Sequence, residues 1–206
     1  MGMRSIFAKI NLIYMKEQVI GLLNAIGQMP QDLIDHLFTI LEDGRFAKDE
    51  MFHKEGEVCD QILFLRKGMI VGQKMFRGKE VTTWIMRNGD YITSPQSFFM
   101  QMKSKEWMIA VEPCEYFAIT FRQLEDIYQR WPLFYRHGKT LTEQYYMKSL
   151  DREDFLKNHR GIQKYKMLVE TDPELVRRCP QKYLASYINV SVTTLSTLRG
   201  KFLGGK

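Results

Sequence analysis

The apolar positions change their spacing along the chain, and these changes divide it into three parts. From Glu17 to Leu41 apolar residues recur every three or four positions, which indicates helix, and Pro30 divides the run into two short helices. From about Arg45 to Thr120 the apolar runs are short and of β type. Helical spacing returns after Thr120. The pattern therefore predicts a helical lead-in, a β domain and a helical C-terminal part.

The central part has the pattern of many short strands. Five runs are rich in β-branched, aromatic and other apolar residues: Ile62–Leu65, Met69–Val71, Val81–Met86, Trp107–Val111 and Tyr116–Ile119. Turn-forming residues separate them at intervals of about 8–12 positions. These are Gly56, Gly68, Gly72, Gly78, Asn88–Asp90 and Pro113. Regular short strands of this kind predict an all-β sandwich, roll or barrel.

The C-terminal part predicts several helices. The expected segments are Arg122–Tyr128, Leu133–Leu150, Asp151–Glu170 and Pro180–Leu198. Trp131-Pro132 and Asp172-Pro173 interrupt the pattern, and Pro180 occupies a position suited to the first turn of a helix.

The composition is that of a soluble globular protein in a reducing compartment. Hydrophobic residues make up 45% and charged residues 26% of the chain, which excludes a disordered or rod-like architecture. No apolar stretch approaches the roughly 20 residues of a membrane helix, and Ile10–Met15 is too short for a secretory signal. The cysteines Cys59, Cys114 and Cys179 lie far apart without a CxxC pair, which argues against disulfides and metal clusters and favours the cytoplasm.

Charge is distributed unevenly between the two halves. Residues 1–120 carry 14 Lys and Arg against 15 Asp and Glu, whereas residues 121–206 carry 16 against 9. No acidic residue follows Glu174. A basic C-terminal part indicates a polyanionic partner, with nucleic acid the usual one and an anionic membrane the rival. A solvated basic surface without a partner is the third interpretation.

The most specific motif is the window from Gln181 to Gly200. Its apolar positions, Leu184, Ile188, Val190, Leu195 and Leu198, suit two helices that cross at about 90–120°. Ala185 is small where the helices would touch, Asn189 tolerates the left-handed backbone of a tight turn, and Ser191 suits an N-cap. The window predicts a helix-turn-helix, and an ordinary helical hairpin is the alternative.

The segment Pro180–Arg199, PQKYLASYINVSVTTLSTLR, resembles the short form of the Crp–Fnr family of bacterial transcription regulators. Lys54–Glu57 (KEGE), Phe64–Ile70 (FLRKGMI) and Asn88–Ile92 (NGDYI) resemble the glycine turns of that family's cyclic-nucleotide-binding roll. The resemblance covers about residues 16–201. It implies a bacterial, cytoplasmic regulator that acts as a homodimer on double-stranded DNA, with RNA polymerase as a further partner.

The resemblance also implies the fold and its division. The fold class is α+β: an N-terminal antiparallel β-roll (a double-stranded β-helix), a long connector helix and a C-terminal helix-turn-helix domain. Residues 1–15 would form an N-terminal extension, with Met15 as an alternative start. Residues 16–128 would form the sensor roll, 129–150 the connector and dimerisation helix, and 151–206 the DNA-binding domain.

In this family the second helix of the motif enters the major groove. With Leu195 and Leu198 facing inward, the expected DNA contacts are Val192, Thr193, Ser196, Thr197 and Lys201, together with Lys182, Ser191 and Arg199. Phosphate contacts are expected from Lys182, Arg199, Lys201 and the Arg177-Arg178 pair. Because the outward set lacks the Arg, Asn and Gln that make strong bidentate base contacts, the sequence preference should be modest or lean towards A·T.

In the Crp–Fnr family one segment, which opens at the Gly-Asp turn and is called the cassette here, supplies the carboxylate and the arginine that bind a cyclic nucleotide. The corresponding segment of this chain lacks both residues. Counted from Gly89, the carboxylate position holds Ser94 and the arginine position holds Ser104, while Thr93 replaces the usual glycine. Lys103 and Lys105 flank the arginine position and offer point charges for an anion. Cyclic AMP is therefore not the expected ligand, and no cofactor is predicted. The segment 95–102, rich in Phe and Met, fits an apolar pocket or ordinary core packing.

A dimer seam is predicted on the long helix. Phe134, Gly138, Leu141 and Tyr145 recur at three- and four-residue steps, a spacing that fits either a seam between protomers or packing against the roll.

Catalysis and metal binding are not expected. The histidines His36, His53, His137 and His159 have no HxH spacing for a cupin metal centre, and the chain has no GxSxG, Walker loop or GxGxxG after a strand. A haem ligand among the histidines and a sensing cysteine are minor alternatives. The competing functional class is a ligand-binding or interaction protein whose helix-turn-helix has lost its DNA role.

Overall fold

The computed structural model describes residues 3–203. The helices are α1 (Met3–Ile26), α2 (Gln31–Ile40), α3 (Pro95–Met100), α4 (Phe121–Arg130), a short 3-10 helix (Pro132–Phe134), α5 (Tyr135–Asn158), α6 (Gly161–Thr171), α7 (Pro173–Arg178), α8 (Gln181–Tyr187) and α9 (Val192–Leu203). Helix α1 begins at Met3, so it runs through the segment that the sequence set apart as an extension. The helical lead-in is otherwise as predicted, with its break at Pro30.

Strands alternate with tight turns through the middle of the chain. They are β1 (Glu42–Phe46), β2 (Met51–His53), β3 (Gln61–Lys67), β4 (Met69–Phe76), β5 (Lys79–Arg87), β6 (Tyr91–Ile92), β7 (Trp107–Ala110) and β8 (Cys114–Thr120). Among the described residues they form two four-stranded antiparallel sheets. We call β1-β8-β3-β6 sheet A and β2-β7-β4-β5 sheet B. The predicted antiparallel roll is confirmed.

The two sheets enclose an apolar interior. Because side chains alternate along a strand, Leu63 and Leu65 of sheet A point inward to meet Ile70 and Met108 of sheet B. Gly68 joins β3 to β4 at a φ of 110°, and a Cβ there would lie 2.5 Å from the sulfur of Cys114. Glycine is required at this turn both by its backbone conformation and by the lack of space.

Helices from both ends of the chain cover the outer face of sheet A. Leu33 and Leu37 of α2 and Ile127 of α4 are buried against Phe64 and Phe117. Helix α4 starts directly after β8, where Thr120 and Gln123 form a capping box.

The C-terminal helices cover the outer face of sheet B. Met69 and Val71 of β4 share a buried cluster with Tyr165 of α6, Leu175 of α7 and Leu184 of α8. The helix-turn-helix region therefore packs directly on the roll.

The long connector helix differs from its predicted length. The sequence placed a helix end at Leu150, but α5 continues to Asn158, and the chain breaks at His159 and Arg160 before α6. Residues 151–158 therefore belong to the connector helix, because the charged residues that follow Leu150 continue an uninterrupted helical pattern.

Candidate DNA-binding surface and effector domain

Helices α8 and α9 form a helix-turn-helix with the packing that the sequence predicted. Leu184, Ala185, Ile188, Leu195 and Leu198 are all buried in one cluster. The turn between the helices passes through Asn189 at a φ of 56°. Asparagine is one of the few residues with a side chain that enter this left-handed region at low cost.

The start of α9 is capped by Ser191. Its Oγ accepts a hydrogen bond from the backbone N–H of Thr194 at 3.0 Å and lies 2.8 Å from the Thr194 hydroxyl. The predicted N-cap is therefore present, and the Ser191 hydroxyl serves the helix itself.

One face of α9 is exposed from Val192 to Lys201. It carries Val192, Thr193, Ser196, Thr197 and Lys201, the outward set that the sequence predicted. Thr197 donates its hydroxyl proton to the carbonyl of Thr193 at 3.1 Å, which leaves its oxygen free as an acceptor. The face is thus uncharged up to Lys201 and bears methyl and hydroxyl groups.

Three basic residues of the C-terminal helices are exposed and remain available. Lys182 and Arg177 are exposed, as is Lys201. The Nζ of Lys182 lies 4.5 Å from the centre of the Tyr183 ring, and a hydrogen bond with Tyr183 raises the pKa of this lysine. Lys182 therefore stays charged at neutral pH.

Two of the expected phosphate contacts are used within the protein. The Nη2 of Arg199 donates to the carbonyl of Val176 at 2.7 Å. Arg178 binds both carboxylate oxygens of Glu112, at 2.5 and 3.0 Å, and also pairs with Glu174 at 2.7 Å. Tertiary partners thus occupy one donor of Arg199 and most of the guanidinium of Arg178, and phosphate contacts by these two residues stay a prediction.

Arg152 of α5 joins the helix-turn-helix to the roll, a role that the sequence did not indicate. Its Nε donates to the carbonyl of Thr83 at 2.7 Å, and its Nη2 donates to the carbonyl of Tyr187 at 3.1 Å. Its guanidinium also lies 3.6 Å from the centre of the Tyr187 ring. The hydroxyl of Ser186 accepts a further bond from the N–H of Thr82 at 2.9 Å.

In the cassette that would hold a cyclic nucleotide, the serine hydroxyls are already hydrogen-bonded within the protein. Ser94 and Ser104 are 3% and 4% exposed, and their hydroxyl oxygens lie 3.2 Å apart. Ser104 donates to the carbonyl of Glu106 at 2.8 Å. Nearby, Ser97 donates to the carbonyl of Met102 and accepts from the N–H of Cys59. No hydroxyl of this group is left for a phosphate, so the residues present do not fit a cyclic nucleotide.

The other cassette residues have structural roles or lie at the surface. Gly89 forms its turn at a φ of 90°, and Thr93 donates to the carbonyl of Gln61 at 2.9 Å. Lys103 and Lys105 are exposed while Ser104 between them is buried. Their place in an anion site therefore stays a prediction, and both ammonium groups are open to solvent. Phe98 of segment 95–102 is core, whereas Phe99 and Met100 are exposed.

The residues expected at the dimer seam face the roll of their own chain. Phe134 is buried in the sheet A cluster, and Leu141 packs against it. A Cβ on Gly138 would lie 1.9 Å from the Tyr128 hydroxyl. Burial raises the pKa of Tyr145 to about 12. Phe134 and Leu141 therefore pack within their own chain, while the seam between protomers stays a prediction.

The described residues contain no group of three or more His, Cys, Asp or Glu side chains that could hold a metal ion. The three cysteines are buried, and burial raises the pKa of Cys114 to about 11 and that of Cys179 to about 12. Since the thiolate is the reactive form, these two thiols are poor redox sensors. Within residues 3–203, no helix has the length and apolar character needed to cross a bilayer.

Comparison with known proteins agrees with this architecture. Residues 44–130 match the family of the cyclic nucleotide-binding domain. A search of curated proteins found no matching relative.

Solved regulators have the same fold at low sequence identity. FixK2 from Bradyrhizobium japonicum aligns with a TM-score of 0.69 at 14% identity, over 80% of this chain and 85% of its own. The c-di-GMP responsive regulator CLP from Xanthomonas campestris aligns with a TM-score of 0.63 at 12% identity, over 85% of this chain and 92% of its own. A CooA mutant from Carboxydothermus hydrogenoformans aligns with a TM-score of 0.61 at 14% identity, over 81% of this chain and 78% of its own.

The chain is thus built as a β-roll followed by a helical C-terminal part, the fold of these solved structures. Residues 44–130 match the cyclic nucleotide-binding domain, even though the residues of their cassette do not fit a cyclic nucleotide.

Proposed function

We propose that this protein is a homodimeric, DNA-binding transcription regulator. The observation that carries the proposal is the helix-turn-helix of α8 and α9, whose turn passes through Asn189 and whose second helix leaves one face exposed. A helix presented in this way fits the major groove, with its N-terminal residues at the base edges.

The exposed face of α9 defines the kind of DNA contact. Thr193, Ser196 and Thr197 offer hydroxyls that bond to any base, and the methyl groups of Thr193 and Val192 suit thymine. Lys182, Arg177 and Lys201 are the phosphate contacts in this proposal. Affinity then comes mostly from the phosphate backbone, and sequence preference leans towards A·T.

The homodimer forms through the outer face of α5. Met147 and Leu150 are 56% and 39% exposed and lie three positions apart on α5, and Tyr146 beside them is 60% exposed. Two-fold symmetry about this face presents two copies of α9 to two half-sites. RNA polymerase is the further partner of such a regulator, and the cytoplasm is its compartment.

The roll is an effector domain that does not use cyclic AMP. The buried pair of Ser94 and Ser104 stands where a carboxylate and an arginine would bind the ribose and the cyclic phosphate. Any signal that reaches α5 from this domain therefore comes from a different ligand or from another protein.

A charge placed on α9 tests the proposal. Replacement of Thr193 by Glu puts a carboxylate against the phosphates, so the affinity for a short duplex at low salt should fall at least about tenfold. Thr171→Glu is the matched control, because Thr171 is also exposed on a helix of the same half. Fluorescence anisotropy measures both. Equal affinities of the two variants, or no duplex binding by the unmodified protein, would favour a ligand-binding or interaction protein instead.

A further inference from the structure

An apolar cavity of about 410 Å³ lies between sheet A and the helices that cover it. Ile62, Phe64, Phe117 and Ile119 line it from the outer face of β3 and β8. Residues of α1, α2, α4 and α5 line the other sides, including Leu23, Leu41, Leu124 and Leu141, and the cavity is partly open to solvent beside Thr142 and Ser149. A void of this size is large for a packed interior, which usually holds few gaps bigger than a water molecule.

The cavity is separate from the cyclic nucleotide cassette. Ile62 and Phe64 point to the outer face of sheet A, whereas Leu63 and Leu65 between them point into the roll. Thr93, Pro95 and Phe99 reach the edge of the cavity, but Ser94 and Ser104 do not line it.

The lining carries no charge. Among the residues of the described chain that line the cavity, none is Asp, Glu, Lys, Arg or His. Its polar groups include the phenols of Tyr91, Tyr128 and Tyr145, which have no hydrogen-bond partner among the described residues. Burial raises the pKa of Tyr128 and of Tyr145 to about 12, so both remain neutral hydroxyls. A charged ligand would lose its hydration here without gaining a counter-ion.

We propose that this cavity binds a neutral, lipophilic small molecule that bears one hydroxyl or carbonyl group. The volume lies within the range of ligand sites, about 300–1,000 Å³. A mostly apolar lining with a few polar groups is also typical of such sites. The polar group of the ligand pairs with a phenol, and its hydrocarbon part fills the space between Phe64 and Leu141.

The position of the cavity links such a ligand to the DNA-binding part. Leu141 and Tyr145 belong to α5, and the same helix carries Arg152, which holds α8 through the carbonyl of Tyr187. Occupancy would therefore act on α5 and through it on the helix-turn-helix. This regulatory role rests on the proposed function, whereas binding itself does not.

Binding is tested with the neutral fluorophore N-phenyl-1-naphthylamine, whose emission rises in apolar surroundings. The full-length protein should give a saturable signal with one site per chain. 1-Decanol should displace the probe at a concentration at least about tenfold lower than decanoate, because the two differ only in the charge of the head group. Cyclic AMP should not displace it. No saturable signal, or equal displacement by alcohol and carboxylate, would overturn the proposal.

Variants that fill the cavity locate the site. Ile119→Trp and Thr142→Trp, the second at the exposed rim, should each weaken probe binding at least about tenfold. Ile162→Trp is the control, since Ile162 is exposed on α6 and does not line the cavity. Circular dichroism checks the fold, so a misfolded Ile119→Trp protein leaves Thr142→Trp to decide. Unchanged binding in a folded cavity variant would overturn the proposal.

Two further outcomes are separated by the same measurements. If the probe binds only when the protein is monomeric, a second copy fills the cavity and the small-molecule proposal fails. If the probe binds as expected but the protein ignores DNA, the cavity proposal holds and the proposed function fails.

Discussion

The pair of Ser94 and Ser104 shows how two residues can change what a domain recognises. The Crp–Fnr family, which the sequence resembles, has an acid and an arginine at these positions. Here two small hydroxyls lie 3.2 Å apart and are almost fully buried. Hydrogen bonds within the protein satisfy both hydroxyl groups, so no ligand is needed to pair with them.

The protein should therefore not bind cyclic AMP with useful affinity. A charge-assisted hydrogen bond is worth about 1.5–3 kcal/mol, so losing both charged groups removes about 3–6 kcal/mol, or about two to four decades. Isothermal titration calorimetry with cyclic AMP and cyclic GMP measures this. A dissociation constant in the low micromolar range or tighter would show that another group replaces the lost contacts.

Asn189 allows a second test, of the turn itself. Its φ of 56° is strained for alanine, so Asn189→Ala should lower the free energy of unfolding by about 1 kcal/mol. Asn189→Gly is the matched control and should be close to neutral, because the residue is exposed and glycine adopts this conformation freely. Urea unfolding compares the two. An equal loss in both variants would mean that the side chain, not the backbone conformation, matters.

Single residues with local roles were predictable from the sequence. The turn at Asn189, the cap at Ser191 and the close contact at Ala185 depend on neighbours within a few positions. The partners of Arg178 and Arg199 were not predictable, because Glu112 and the carbonyl of Val176 meet them only in the folded chain.

Helix α5 has two apolar faces, and the structure decides which one is free. Phe134 and Leu141 pack on the roll, whereas Tyr146, Met147 and Leu150 are exposed. Helical spacing shows that a face is apolar but does not show what covers it. For this reason the spacing alone left open whether these residues form a seam between protomers or pack within their own chain.

The outer face of α5 should therefore control the oligomeric state. Met147→Asp would place an unpaired charge in the interface and should shift the protein towards the mass of one 24.4 kDa chain. Leu133→Asp is the control, because Leu133 is 47% exposed but precedes the helix. Light scattering at micromolar concentration reports both masses. A monomeric unmodified protein, or a dimer that tolerates Met147→Asp, would contradict this assignment.

Because Leu141 packs on the sheet A cluster, a charge at this position would disturb the fold of the chain, and it is not a clean probe of dimerisation.

The whole molecule consists of one roll with helices on both outer faces. Sheet A carries α1, α2, α4 and part of α5, and sheet B carries the helix-turn-helix region. The contact between sheet B and the C-terminal helices is stabilised by Arg152, by the Arg178–Glu112 pair and by an ion pair between Arg87 and Asp172. The face of α9 that carries Val192, Thr193, Ser196, Thr197 and Lys201 is exposed and lies outside this contact.

The order of these parts was predictable, and their assembly was not. The change from helical to β spacing and back locates the roll, because each period reflects one kind of element. The cavity was missed because residues as distant as Leu23 and Tyr145 form it, and each alone has the pattern of ordinary core. Segment 95–102, which the sequence considered for an apolar pocket, contributes only Pro95 and Phe99.

The central claim, DNA binding through the basic C-terminal part, is tested most directly by the salt dependence of duplex affinity. Fluorescence anisotropy should give a steep linear fall of log affinity with log salt. Lys182→Ala and Arg177→Ala should each reduce the slope by about one, whereas Lys139→Ala, a change at an exposed lysine on α5, should leave it unchanged. No binding at low salt, or a slope that none of these variants alters, would contradict the account.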